Sequence, residues 1–275
     1  MSTQTGMVER ALFDYAEFWF RRNPHLAAIA DVLDNRDVLR LVGDQNCSLS
    51  NGVYRARFPE PIAAERTQTV LAGYLQRGRP FEWLLTPSTR SSAMETVLTS
   101  HGMQADGPLI GMHTRLGIHT DWASVRRAET GHTIRPVTRE ADLDAAVGVL
   151  AAGFELSPTC QSVARAMTQP FVSASGQAML SVLATDGGRP VGTGSVSVAG
   201  GVASLSNVTV LPAVRREGIG TAVTSALMGL GAEMGATDSV LLASPAGRYV
   251  YARLGYRDIC EVTVLTWAPP PPPGA

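Results

Sequence analysis

The chain has no lysine: all 23 of its basic residues are arginine. That absence rules out a Schiff-base nucleophile and the lysine of a P-loop. Cysteine is scarce too; Cys47, Cys160 and Cys260 are far apart and odd in number. Such spacing argues against a disulfide framework and against a clustered zinc site, and it points to the cytoplasm. The five histidines, His25, His101, His113, His119 and His132, show no metal-ligand spacing. Charge of one sign is lacking as well. The net charge is −1, so no basic field draws in nucleic acid or an anionic membrane. No apolar run approaches the roughly 20 residues of a membrane span, and the start, MSTQTGMVERALFDY, lacks the basic opening of a signal peptide. A soluble protein is expected. The arginine, alanine and glycine bias suggests a high-GC bacterial gene.

What is present is an ordinary globular balance, 45% apolar and 17% charged over 275 residues, enough for one large domain or two smaller ones. Phe13, Ala16, Phe20 and Leu26 give a rough helical stripe broken at Pro24. Strand-like runs at 37–44 and 52–58 precede a helix from Glu65 to Gln76, and FEWLLT at 81–86 reads as a buried strand. Ala93 to His101 reads as a helix stopped by Gly102. The polar stretch 119–133 reads as a linker.

Beyond it the pattern sharpens. TIRPV is a short strand, and Thr138 is expected to cap a helix lined by Leu143, Val147, Leu150 and Phe154. A second helix is expected over Gln161 to Met167. Three strands follow, MLSVLAT, PVGTGSVSV and VASLSNVTVL, joined by Asp186-Gly187-Gly188 and Gly200-Gly201 as hairpin turns. Then come a helix, the strand SVLLAS at 239–244, a short helix ending before Gly255 and the strand CEVTVLTW at 260–267. The tail, 269–275, is proline-rich and suits an extended stub.

Two segments echo each other. LLTPSTRSSAMETVLTSHGM at 84–103 and LLASPAGRYVYARLGY at 241–256 both run strand, proline and serine, helix, then an apolar residue four before a glycine. The echo suggests an internal duplication, divided as 1–125 and 132–268.

The chemistry concentrates in LPAVRREGIGTAVTSALMGL, 211–230. Arg215, Gly218 and Gly220 spell R-x-x-G-x-G, and Ile219, Ala222, Val223, Ala226, Leu227 and Leu230 then form one helical face. Glycines let a backbone approach closely, and a helix opens with free N–H donors and the positive end of its dipole. Strand, loop and helix together make an anion site. It is not a dinucleotide fingerprint, because Val223 stands where the third glycine belongs.

Loop, element order and the later Y-x-x-x-G-Y together resemble the GNAT superfamily of N-acetyltransferases over about 132–267. The resemblance implies an α/β (α+β) fold, a mixed, largely antiparallel sheet flanked by helices. It also implies acetyl-CoA as acyl donor, with no metal, and a small-molecule amine as acceptor. By resemblance the amides of Arg216, Glu217, Gly218, Ile219, Gly220 and Thr221 wrap the pyrophosphate, with charge from Arg215 or Arg216. Val208, Thr209 and Val210 bind the pantetheine arm along a strand edge, and Ser244 either touches the cosubstrate or caps its helix. Tyr251 takes the family position of the acid that protonates the departing thiolate; its alternative is a packing tyrosine. Where some relatives carry a glutamate on the central strand, this chain has Ser204. The N-terminal half lacks R-x-x-G-x-G and has Leu98 where the second copy has Tyr251, so it reads as a degenerate GNAT-like unit. A non-catalytic acyl-CoA-binding or scaffold protein is the competing reading; the missing glutamate favours it slightly, while the intact loop and Tyr251 argue against it.

Overall fold

The computed structural model describes residues 3–14, 16, 19–117, 132–174 and 178–270. Nearly all of the expected linker, and residues 271–275 of the tail, lie outside these. The chain divides into two compact units. One holds Leu12–Leu109 with Glu261–Ala275 and Met1; the other holds Ser2–Ala11 with Ile110–Cys260.

The N-terminal helix α1 covers Thr3–Asp14. Short helical turns at Phe20–Arg22 and Pro24–Ala27 follow, and the expected stripe is buried at Phe13, Ala16, Phe20 and Leu26. In the first unit, β1 (Ala30–Asp34), β2 (Val38–Gly43) and β3 (Asn51–Ala56) pair antiparallel. The Asn35 carboxamide closes the β1–β2 turn by accepting from the Asp37 and Val38 amides at 3.0 and 2.8 Å. Helix α2 (Glu60–Arg77) carries the chain to β4 (Phe81–Leu85), which runs parallel to β3. That crossover is why the middle of this sheet is parallel while its edge is not. Helix α3 (Ser92–Ser100) follows. The free edge of β4 is taken by residues 263–267 from the far end of the sequence, Thr263 opposite Leu85 and Trp267 opposite Phe81. Leu71, Phe81, Trp83, Leu98 and Leu265 are sealed in the core of this unit.

The strand β5 (Gln104–Arg115) was not visible in the sequence, because Gly107, Pro108 and Gly111 interrupt it. Gly111 is required by packing: a Cβ there would lie 2.7 Å from Val8 Cγ1 and 2.8 Å from Cys260 Sγ.

The second unit continues through β6 (Thr133–Pro136), α4 (Glu140–Gly153), α5 (Pro158–Thr168), β7 (Phe171–Val172), β8 (Ala178–Asp186), β9 (Arg189–Ala199) and β10 (Val202–Val210). It closes with α6 (Ile219–Glu233), β11 (Asp238–Ala243), α7 (Pro245–Arg253) and β12 (Arg257–Trp267), of which only the first residues belong here. Its sheet runs β6-β8-β9-β10-β11-β5, antiparallel everywhere except between β10 and β11. The mixed, largely antiparallel sheet flanked by helices is the fold class expected from the sequence. Two local expectations fail. The N-cap position of helix α4 falls on Arg139, not Thr138, and no side chain caps it; Asp142 in the first turn binds the guanidinium groups of Arg135 and Arg139. Phe154 falls past the helix end and is 55% exposed, instead of completing the apolar stripe.

The two echoing segments match in structure. Ser91 and Ser244 each cap a nine-residue helix through the amide three residues on, at 3.3 and 3.2 Å. Gly102 and Gly255 follow in the left-handed region, φ +83° and +90°, and the next residues, Met103 and Tyr256, are both buried. The strand after each helix then pairs within the other unit: residues 110–115 of β5 with β11, and residues 263–267 of β12 with β4.

Candidate active site

The parallel ladder between β10 and β11 is short. It runs from Val202 opposite Asp238 to Leu205 opposite Leu241 and stops. Strand β10 continues five residues further, to Val210, bonded there only to β9. Between Ser206 and Thr209 its register slips by one: Asn207 and Val208 together face one residue of β9. This is a β-bulge, and Asn207 absorbs it in the left-handed region at φ +57°. A bulge bends its strand and sharpens the twist, so the edge of β10 from 206 to 210 turns out of the ladder. A cleft opens at the carboxyl ends of two parallel strands, where main-chain groups of β10 face no neighbouring strand.

Side chains on this stretch alternate between faces. Val210 lies over α6, since a Cβ on Gly220 would sit 3.7 Å from Val210 Cγ2. Thr209 faces α4, whose last residue, Gly153, comes so close that a Cβ would fall 2.0 Å from Thr209 Cγ2. The two helices therefore clamp opposite faces of the bulged segment.

From Val210 the chain passes through a 3₁₀ turn, Pro212–Val214, into the arginine-glycine loop. Arg216 and Gly218 both have positive φ, +72° and +82°. The left-handed residues turn the chain back so that α6 can begin at Ile219, with Gly218 as its cap and no side chain covering its amides. Main-chain bonds resume at Ala222, which donates to the Gly218 carbonyl at 3.0 Å. Among the described residues, none accepts a hydrogen bond from the six successive amides of Arg216, Glu217, Gly218, Ile219, Gly220 and Thr221. Arg215, Arg216, Glu217 and Gly218 are exposed. Arg215 folds back so that its Nε donates to the Val210 carbonyl at 3.2 Å. Neither arginine has a carboxylate partner among the described residues. The loop is a run of N–H groups without a protein acceptor, flanked in sequence by two exposed arginines, at a helix N-terminus.

Tyr251 sits in the last turn of α7, 9% exposed. Its ring meets Tyr256 edge-on at 6.1 Å and packs back over Gly247, where a Cβ would be 3.0 Å from Tyr251 Cε2. Burial pushes its phenol up to about 12. Its hydroxyl bonds to none of the described residues, whereas the Tyr256 hydroxyl is tied to Ser239 Oγ at 2.6 Å. Ile219 and Tyr251 belong to one apolar cluster, against which Val208 and Val210 pack. Loop end, strand edge and phenol thus border the same core. Ser244 is exposed and accepts from the Gly247 amide at 3.2 Å, which makes it the helix cap. Ser204 pairs with Ser197 and Val240 below the cleft. Sequence reasoning missed Asn207 and Gly153. The one available signal for the first was an asparagine interrupting a strand of small and β-branched residues.

Residues 178–258 match the family model described as the acetyltransferase (GNAT) domain. This segment is a GNAT acetyltransferase domain. The matched span begins at β8 and ends in β12, so it includes bulge, loop and Tyr251. No curated protein sequence matches the chain. Among solved structures, a GCN5-related N-acetyltransferase from Kribbella flavida is similar over 98% of this chain and 96% of its own, at 19% identity and a TM-score of 0.64. One from Sphaerobacter thermophilus covers 86% of this chain and 82% of its own, at 16% identity and a TM-score of 0.56. A tandem GNAT protein from the clavulanic acid biosynthesis pathway covers 86% and 79%, at 16% identity and 0.53. At these identities the likeness is one of fold.

Proposed function

We propose that the chain is an acetyl-CoA-dependent N-acyltransferase that moves an acetyl or short acyl group to an amine of a small molecule. The observation that carries this reading is the row of six amides, 216–221, with no protein acceptor, beside a strand edge that leaves its ladder. A diphosphate is the ligand such a row suits. Its charge would be met by the α6 N-terminus and by Arg215 or Arg216. The arm of the cosubstrate would then add to the edge of Val208, Thr209 and Val210 as an extra strand does. That lays the thioester against the cleft beside Tyr251. Ser244, already a cap, retains a hydroxyl proton with which to touch the cosubstrate.

In the transfer, the neutral amine attacks the thioester carbon, the C–S bond breaks, and the proton lost by the amine replaces the one taken up by sulfur. A backbone N–H near Val210 polarises the carbonyl. A phenol raised to about 12 stays protonated at neutral pH, so Tyr251 is always a donor. A phenol near 12 is a weaker acid than a thiol, so as general acid Tyr251 gives the sulfur a hydrogen bond as charge builds there and passes its proton only as the amine's proton replaces it.

The N-terminal half, 1–125, we read as a worn copy of the 132–268 domain. Matching caps, helix lengths and glycines support this, as does the tandem arrangement named for one structural relative. With Leu98 in place of the phenol and no arginine-glycine loop, it would bind no acetyl-CoA productively.

The test is acetyl-CoA with a panel of small amines, read as free thiol. Release above blank for at least one amine is expected, with Tyr251→Phe losing about 10- to 100-fold in kcat while CoA affinity holds. Tight cosubstrate binding without thiol release for any amine would overturn the enzyme reading in favour of an acyl-CoA-binding protein.

A further inference from the structure

Three serines lie in one row across the sheet of the second unit. Ser181 in β8 is paired with Ser195 in β9, and Ser195 with Ser206 in β10. Their neighbours Leu180, Val196 and Leu205 enter the core shared with α6. Side chains alternate along a strand, so the three hydroxyls lie on the other face, the one that carries α4 and α5. A row of alanines there would leave no polar atom to satisfy.

The inner end of the row has a fixed direction. Ser181 and Ser195 are both buried, and Ser181 Oγ donates to the Thr168 carbonyl at 2.7 Å. A carbonyl only accepts and a hydroxyl has one proton. The 2.9 Å bond between Ser181 and Ser195 therefore takes its proton from Ser195, whose oxygen is left with lone pairs alone. The outer end is open. Ser206 is half-buried, its hydroxyl bonds to none of the described residues, and its oxygen is not enclosed. It is also the first residue of β10 past the last pair with β11, Leu205 opposite Leu241, so it stands where the two parallel strands part. Directly paired residues have Cβ atoms about 4.5–5.5 Å apart, which brings a bond from Ser206 to Ser195 within a change of rotamer. With its proton turned that way, Ser206 offers the cleft an oxygen that can only accept.

Such an oxygen recognises an N–H. On the reading proposed above, on which this inference rests, the thioester lies at this parting and the attacking group is an amine. We infer that Ser206 Oγ accepts a hydrogen bond from the incoming amine and so turns the nitrogen lone pair toward the thioester carbon. The row ends on a carbonyl that takes up no proton, so Ser206 orients the nucleophile without acting as its base.

The test uses the full chain, acetyl-CoA and whichever small amine of the panel releases thiol fastest from wild type. Ser206→Ala should raise the KM for that amine about 5- to 10-fold, the effect of one lost hydrogen bond. The affinity for CoA by calorimetry should stay within about twofold of wild type, which a merely structural role would not spare. Ser206→Thr, which restores the hydroxyl, should bring the KM back to within about twofold. An unchanged amine KM in Ser206→Ala overturns the inference and leaves the function standing. If Ser206→Ala also loses CoA affinity, Ser206→Thr decides: recovery of the amine KM supports the inference, and a KM that stays raised overturns it. Wild type that releases no thiol with any amine overturns both.

Discussion

Two residues show how a single side chain, or its absence, sets a local property. Gly218 sits at φ +82° in an exposed loop. A β-branched residue is strained there, and the strain would displace the amides of the loop. Gly218→Val should therefore weaken CoA binding at least tenfold by calorimetry while the thermal transition moves by only a few degrees. Unchanged affinity would remove the loop from the site. Glu82, in β4, runs over Gly52, where a Cβ would lie 2.8 Å from its Cγ, and accepts from the Tyr54 hydroxyl at 3.0 Å. Desolvation pushes its carboxyl up to about 7, against the smaller opposing pull of that hydrogen bond. The folded chain then holds a proton that the unfolded chain has released between about pH 4.5 and 7. Over that window stability falls as pH rises, and above 7 this contribution is gone. Glu82→Gln keeps the shape and cannot ionise. Melting curves at pH 5 and pH 8 should show a smaller drop for the variant than for wild type.

At the scale of elements, the cleft depends on how closely α4 approaches the bulged end of β10. Gly153 permits that approach, because Thr209 Cγ2 occupies the space of its missing Cβ. Gly153→Ala forces an overpacked contact that outweighs the gain in helix propensity. It should destabilise by about 1–3 kcal/mol in urea titration. Thr209→Ser removes the offending methyl, so the double variant should recover most of that loss. Helices and strands with clean periodicity, such as α6 and β8 to β10, were legible in the order of residues, since each carries its own apolar pattern. The strand β5 was not, because Gly111 answers to Val8 and Cys260, residues about a hundred or more positions away. The expected stripe through Phe154 failed for a related reason: α4 ends at Gly153, where a strand lies against it, and not where its apolar pattern would stop.

For the whole molecule, the consequence of the exchanged strands is that the C-terminal end of the sequence stabilises the N-terminal unit. Leu265 is buried in the core formed by Trp83, Leu85 and Leu98, and Trp267 meets the Phe81 ring at 5.5 Å. Leu265→Ala should cost about 2–5 kcal/mol, as a core truncation does. Hydrogen exchange should locate the loss in β2, β3 and β4, far upstream in sequence. Protection lost only around residues 178–258 would contradict that placement.

The sequence by itself determined the order of helices and strands in the second unit, and the arginine-glycine loop with its following helix. These are local properties: turn chemistry, apolar period and backbone freedom are written in neighbouring residues. Only the tertiary structure decided where the β10–β11 ladder stops, that Asn207 takes up the slip, and that Tyr251 shares a cluster with Ile219, Val208 and Val210. It also decided which unit each final strand joins. Those outcomes depend on which distant backbone lies alongside, and a pairing partner leaves little trace in the strand that receives it.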